Sequence, residues 1–172
     1  MSSATRTAPL DIVVALRLTD EAGTLADLAG ELGVVPSQVH AALRRLQLAG
    51  LLRPGLRAAN ARALAEFLIH GVRYAFPVAK GPLTVGIPTA YSAPPLAAEI
   101  DALDVVVWPA PNHPEAVQGF TLAPLYRAAP ILKERTPRTY QLVAVTDALR
   151  LGDPRTRLSA RAAMEQLLGV RA

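Results

Sequence analysis

Cysteine is absent from this 172-residue chain, which excludes disulfides, thiolate catalysis and zinc–thiolate sites. Aromatic residues are scarce at 5%, and no apolar run approaches the roughly 20 residues that a membrane-spanning helix needs. The opening Met-Ser-Ser-Ala-Thr-Arg-Thr has none of the apolar core of a secretion signal, so the cytoplasm is the expected compartment. Only three histidines occur, His40, His70 and His113, and none stands three or four residues from another in a metal-binding spacing. Ser92 lacks the Gly-x-Ser-x-Gly elbow, and no glycine loop is arranged to cradle phosphate. Glu99, Asp101 and Asp104 are the one carboxylate cluster that could attract magnesium; flanking a short surface helix is the simpler reading. These absences lead us to expect no catalytic set, no metal, no cofactor and no enzyme activity.

What the chain does have is a strongly patterned segment, Thr24 to Arg57. Leu25, Leu28, Ala29 and Leu32 form one apolar stripe at helical spacing. Thr24 can cap this helix, with Asp27 in the reciprocal position, and Gly33 supplies the left-handed residue that ends it. Pro36 blocks continuation, and Ser37 is the expected cap of a second helix. There Val39, Ala42, Leu43 and Leu46 face inward, leaving Gln38, His40, Ala41, Arg44 and Arg45 outside. Gly50 closes the second helix. Leu51-Leu52-Arg53, a Pro54-Gly55 turn and Leu56-Arg57 then read as a minimal hairpin. Two short helices at a turn, the second with small, polar and basic outward residues, match a helix-turn-helix.

Charge placement agrees. The chain carries a net charge of only +4, yet no acidic residue lies between Glu31 and Glu66, a window holding Arg44, Arg45, Arg53, Arg57 and Arg62. Concentrated arginine gains affinity by releasing counterions from a phosphate backbone and can read guanine with two hydrogen bonds. The alternative, a basic surface kept only for solubility, fits less well because solvated faces usually mix both signs. Over roughly Asp11 to Leu64, through Leu28-Ala29, Leu32-Gly33, Ser37, Val39, Leu43, Leu46 and Ala49-Gly50-Leu51-Leu52, the chain resembles the bacterial winged helix-turn-helix regulators of the MarR type. That resemblance implies sequence-specific binding of double-stranded DNA and a role in transcription regulation. Gln38, His40, Ala41, Arg44 and Arg45 would approach base edges, Arg53 and Arg57 on the wing the backbone or minor groove, and Ser37 and Arg62 complete the expected DNA-binding set.

The remainder is less explicit. Residues 9–18 read as a first helix, and Ala61 to Ala75, capped by Asn60, as a long exit helix. Eleven of the fifteen prolines fall between Phe76 and Thr139, which rules out long helices there and leaves short strands at 84–87, 105–108 and 119–122. Helices return over 139–149 and 155–168, broken at Gly152-Asp153-Pro154. The expected fold is therefore mainly α with a small β component (α+β): a DNA-binding domain over 1–75, a Pro-rich strand and loop region over 76–138 and a helical pair over 139–172. The aromatics of the second half (Tyr74, Phe76, Tyr91, Trp108, Phe120, Tyr126 and Tyr140) read first as core, and otherwise as a pocket for a small effector or a partner interface. Leu142, Val143, Val145, Leu149, Leu158, Met164, Leu167 and Leu168 look like more apolar surface than a small domain buries alone, and half-site symmetry favours pairs. A homodimer through the closing helices is expected. The tail is also similar to those of small regulators encoded beside a partner enzyme, as antitoxins are, so a protein-interaction module with a cognate protein partner is the alternative.

Overall fold

The computed structural model describes residues 6–170. Met1 to Thr5, most of the stretch read above for a secretion signal, and the last two residues lie outside them. The fold is mixed α+β, with eight helices and a three-stranded sheet among the described residues. In chain order these are α1 (Pro9–Arg17), α2 (Leu25–Leu32), α3 (Pro36–Leu48), α4 (Ala61–His70), α5 (Val72–Ala75), β1 (Leu83–Pro88), β2 (Val106–Pro109), β3 (Val117–Thr121), α6 (Leu132–Arg135), α7 (Pro137–Leu151) and α8 (Pro154–Leu168).

The first three helices start and stop where local chemistry directs. The Asp11 carboxylate accepts the Ala8 N–H at 2.8 Å at the head of α1. At α2 the Thr24 hydroxyl accepts the Asp27 N–H at 3.2 Å while Asp27 accepts the Thr24 N–H at 2.7 Å, a reciprocal cap that leaves two orphan donors satisfied. Gly33 takes φ +65°, and Val34 N–H reaches back to the Ala29 carbonyl at 3.0 Å, a left-handed helix stop that a Cβ would oppose. Helix α3 begins one residue before the expected cap. Pro36 occupies its first position with Val35 as the cap residue, because proline's fixed φ and missing N–H suit a helix start. Ser37 therefore sits inside the first turn, and it is Gln38 Oε1 that accepts the Val35 N–H, at 3.2 Å.

After α3 the chain forms a minimal hairpin. Leu52 pairs with Ala59, Arg53 N–H donates to the Ala58 carbonyl at 2.9 Å, and Ala59 N–H donates to the Leu18 carbonyl at 3.0 Å, tying the hairpin to the end of α1. Asn60 caps α4 through its side chain. The helix expected over Ala61–Ala75 divides at Gly71, and α5 follows as a separate single turn. Glycine is a poor helix-interior residue, and a Cβ there would press on the Phe67 ring and carbonyl.

The small sheet closes on itself. β1 runs antiparallel to β3 over residues 83–86 and to β2 over 86–88, while β2 and β3 meet in parallel at Val106↔Phe120 and Val107↔Thr121. So tight a closure needs glycine where strands cross: a Cβ on Gly86 would enter the Trp108 carbonyl, and one on Gly119 would stand 2.7 Å from the Val105 carbonyl. Each strand of this sheet was within reach of the sequence reading, with ends shifted by a residue or two.

A single cluster of buried side chains runs from α1 to α8. Ile12 to Leu16 are all fully buried, which a surface helix cannot achieve; α1 packs against α3 and also against α7. Helix α7 is the spine, with residues 139–140 and 142–149 buried. This corrects the apolar-surplus reading of the closing helices. Leu142, Val143, Val145 and Met164 are fully buried within one chain, Leu149 and Leu168 nearly so, and of that set only Leu158, 70% exposed, stands well out in solvent. Beside α7 lies a polar node that the sequence did not disclose. The Asp147 carboxylate accepts Trp108 Nε1–H at 2.7 Å, the Thr89 hydroxyl at 2.8 Å and Arg150 Nη1 at 2.6 Å. Burial pushes this carboxyl above its ordinary range, opposed by Arg150 and the two neutral donors.

Candidate nucleic-acid interface

Helix α3 has three faces. Val39, Ala42 and Leu46 are buried against α1 and α2. On one flank His40, Leu43, Arg44 and Gln47 meet Leu52, Leu56 and Arg57 of the hairpin around a groove of about 190 Å³. Ser37, Gln38, His40, Arg44 and Gln47 are exposed, and Ala41 is half-buried. The structure thus brings together His40, Arg44 and Arg57, with Arg53 exposed on the same hairpin. Gln47 belongs with them and was missed; its spacing of seven from His40 and three from Arg44 was the available signal.

Two expected site residues are placed otherwise. Arg45 turns to the opposite flank, where Nε and Nη2 hold both oxygens of Asp11 at 2.7 and 2.6 Å. Asp11 is fully buried and the Arg45 side chain only 19% exposed, so this arginine is a structural counter-ion and not an open base-reading group. Its partner's hydrogen bonds hold the guanidinium charged, above its usual range. Arg62, on α4, borders a different groove with Glu66, Arg161 and Glu165. An acid-free sequence window said nothing about which arginine faces which neighbour.

The acidic groups nearest in sequence are engaged elsewhere. Glu31 takes Arg17 bidentately at 2.7 and 3.2 Å, bracing α2 against α1. Asp27 is held below the usual carboxylate range by the Thr24 hydroxyl and amide it accepts from. Among the described residues, the groove of His40, Arg44 and Arg57 is lined by no carboxylate. From the far half, Arg138 pairs with Asp20 at 2.8 Å and Arg135 donates to the Gly30 carbonyl, steadying the turn side of the helix pair.

A larger open groove of about 770 Å³ lies between residues 99–104 and the α7–α8 junction. Within it Asp104 accepts from Lys80 at 2.6 Å and from the Tyr91 hydroxyl at 2.7 Å. Those bonds keep the Asp104 carboxyl below its ordinary range, so of the three clustered acids one already has partners. His70 is exposed on α4, and His113 lies 3.3 Å from Glu134. No described helix is long and apolar enough to cross a membrane.

No family model matches the chain, and no curated protein or solved structure does either.

Proposed function

We propose that α1–α3 and the hairpin form a winged helix-turn-helix that binds duplex DNA in a sequence-specific way, as a transcriptional regulator does. Helix α3 lies in the major groove and the hairpin serves as the wing. The observation that carries this reading is the acid-free groove in which His40, Arg44 and Gln47 of α3 face Arg57 of the hairpin. A helix about 10–12 Å across fits a major groove about 12 Å wide, and its exposed polar edge presents groups that can hydrogen-bond base edges. The hairpin has a single bridge pair, so Arg53 and Arg57 reach phosphates beside the groove. Affinity should fall at least tenfold between 50 and 200 mM salt, read by fluorescence anisotropy on genomic duplex fragments. Arg44→Ala should cost roughly 1–3 kcal/mol and relax site preference, whereas Arg53→Ala or Arg57→Ala should weaken all sequences alike. Absence of binding at low salt, or binding indifferent to salt, overturns the reading.

A protein-docking role draws on a specific feature as well. Val35, Leu48 and Leu56 are all more than half exposed around the same helix and hairpin, and a partner protein would cover them. Binding by Arg44→Ala that is unimpaired on DNA but lost by Leu48→Glu or Leu56→Glu on a co-purifying protein favours this second reading. Homodimerisation now rests on half-site symmetry alone; sedimentation at micromolar concentration tests it.

A further inference from the structure

A helix seated in the major groove is bracketed by two phosphate backbones, one on each side. The hairpin accounts for only one of them. Resting on the DNA-binding reading above, we propose that the flank of α3 opposite the hairpin is a second phosphate contact, made by Arg6 at the edge of the Arg45 groove, and that it engages the other DNA strand.

Helical geometry separates the two flanks. With Val39, Ala42 and Leu46 buried, rotation of about 100° per residue places His40, Leu43 and Gln47 on one side and Gln38, Ala41 and Arg45 on the other. The first side borders the hairpin groove. The second borders a groove of about 360 Å³ formed by Arg6, Thr7, Arg45, Ala75 and Phe76 among others. Ala75 ends α5 and Phe76 follows it, so this wall comes from a different part of the chain than the wing does.

The charge on this second flank suits an anion. Asp11 is the one nearby carboxylate at the head of α1. It is fully buried, and both of its oxygens are taken by Arg45. That pairing cancels the Asp11 charge and, among the described residues lining the groove, leaves Arg6 as the uncompensated charge on its rim. Arg6 is exposed and precedes the first helix, so its guanidinium can settle on a phosphate without repacking the core. Thr7 beside it adds a hydroxyl and a backbone N–H of the kind that position a protein on a duplex. The Asp11–Arg45 pair thereby keeps a buried carboxylate from repelling the backbone, and this connects its structural role to binding.

Arg6→Ala, with Arg57→Ala and Arg44→Ala alongside, tests the assignment in the full-length protein. A duplex fragment that the wild type binds serves as probe, and melting temperature checks that the fold is intact. Arg6→Ala should lose roughly three- to tenfold in affinity near physiological salt and lower the slope of log K against log salt by about one. Arg6→Glu should lose more. Hydroxyl-radical footprinting should show Arg6→Ala losing protection on one strand and Arg57→Ala on the other. Unchanged affinity, slope and footprint in Arg6→Ala, or loss on the same strand as Arg57→Ala, overturns the assignment. If Arg44→Ala weakens binding and Arg6→Ala does not, only this inference fails. If the wild type binds no duplex, the reading on which it rests fails too.

Discussion

Residues 9–60 and residues 76–151 are held together in opposite ways. In the first stretch the bonds that start and stop the helices are short-range: Thr24 with Asp27, Val34 with Ala29, and, at its end, Asn60 with Ala63. In the second they span the chain. Thr89 reaches Asp147 across 58 residues, Tyr140 reaches the Pro88 carbonyl across 52, and Trp108 reaches Asp147 across 39. The difference teaches where the two regions will be sensitive. A unit built from local signals forms its helices readily, but here its central helix α1 is buried on α7 as well as on α3. The locally coded region therefore depends on the non-local one for its stability.

Removing α7 and α8 is the harshest way to break that relation. A chain ending before Thr139 exposes the α7-facing side of Ile12–Leu16 and deletes Tyr140 and Asp147, the ring and carboxylate partners of Trp108. Neither the truncated chain nor a 1–75 fragment should show a cooperative thermal transition by circular dichroism. A dimer contact over 139–172 predicts instead that truncation leaves a folded monomer. A fragment 1–75 that melts cooperatively, with native helix content, would show that the locally coded unit stands alone.

That contrast also explains what could be read in advance. The helix pair, its Gly33 stop, the Asn60 cap, the three short strands and the break at Gly152–Pro154 were legible because each is written within a few residues of where it acts. Of the candidate site, His40, Arg44, Arg53 and Arg57 fell on the expected surface for the same reason: helical period and turn chemistry decide which way they point. Arg45 was misplaced because its position on α3 is close to the exposed face, and only the arrival of Asp11, 34 residues away, turns it inward. Asp147 was missed likewise, whereas the break at Gly71 is a local signal, a glycine inside an otherwise helical run, that was passed over. Nothing within a turn of Asp147 other than Arg150 announces a buried carboxylate.

Both regions bury one carboxylate against an arginine, which permits a paired test. Asp147→Ala leaves the Trp108 indole N–H and the Thr89 hydroxyl without their acceptor and removes the counter-ion of Arg150, which keeps the Phe76 and Ala123 carbonyls and is only 5% exposed. Truncating one partner of a buried pair costs about 3–5 kcal/mol, and Asp147→Ala should reach the upper end because two neutral donors are stranded together with the uncompensated Arg150 charge. Arg45→Ala strands Asp11 alone, at a rim where Arg45 was 19% exposed and water can reach, so the lower end is expected. Arg44→Ala, on the exposed face, should change stability by no more than about 0.5 kcal/mol. Urea denaturation of the three variants gives the order. An Arg45→Ala protein as stable as wild type would return that residue to the open DNA face.

The gentlest probe is the set of tyrosines in the non-local region. Burial raises the Tyr91, Tyr126 and Tyr140 hydroxyls above the ordinary phenol range, with Asp104 adding to the effect at Tyr91 and Glu115 at Tyr140. A folded pKa raised above the unfolded value contributes stability that is complete below the ordinary phenol pKa of about 10 and is lost as pH climbs through the folded values. Ultraviolet titration should accordingly show these phenols ionising late, together with alkaline unfolding. The hydroxyls differ in what they do while protonated. Tyr140 donates to the Pro88 carbonyl at 2.7 Å, whereas the Tyr126 hydroxyl is buried and has no hydrogen-bond partner among the described residues. Tyr140→Phe should therefore cost about 1 kcal/mol, while Tyr126→Phe should be neutral or slightly stabilising because it deletes a desolvated, unpaired hydroxyl. Equal losses in the two variants would mean that the Tyr126 hydroxyl has a hydrogen-bond partner in solution.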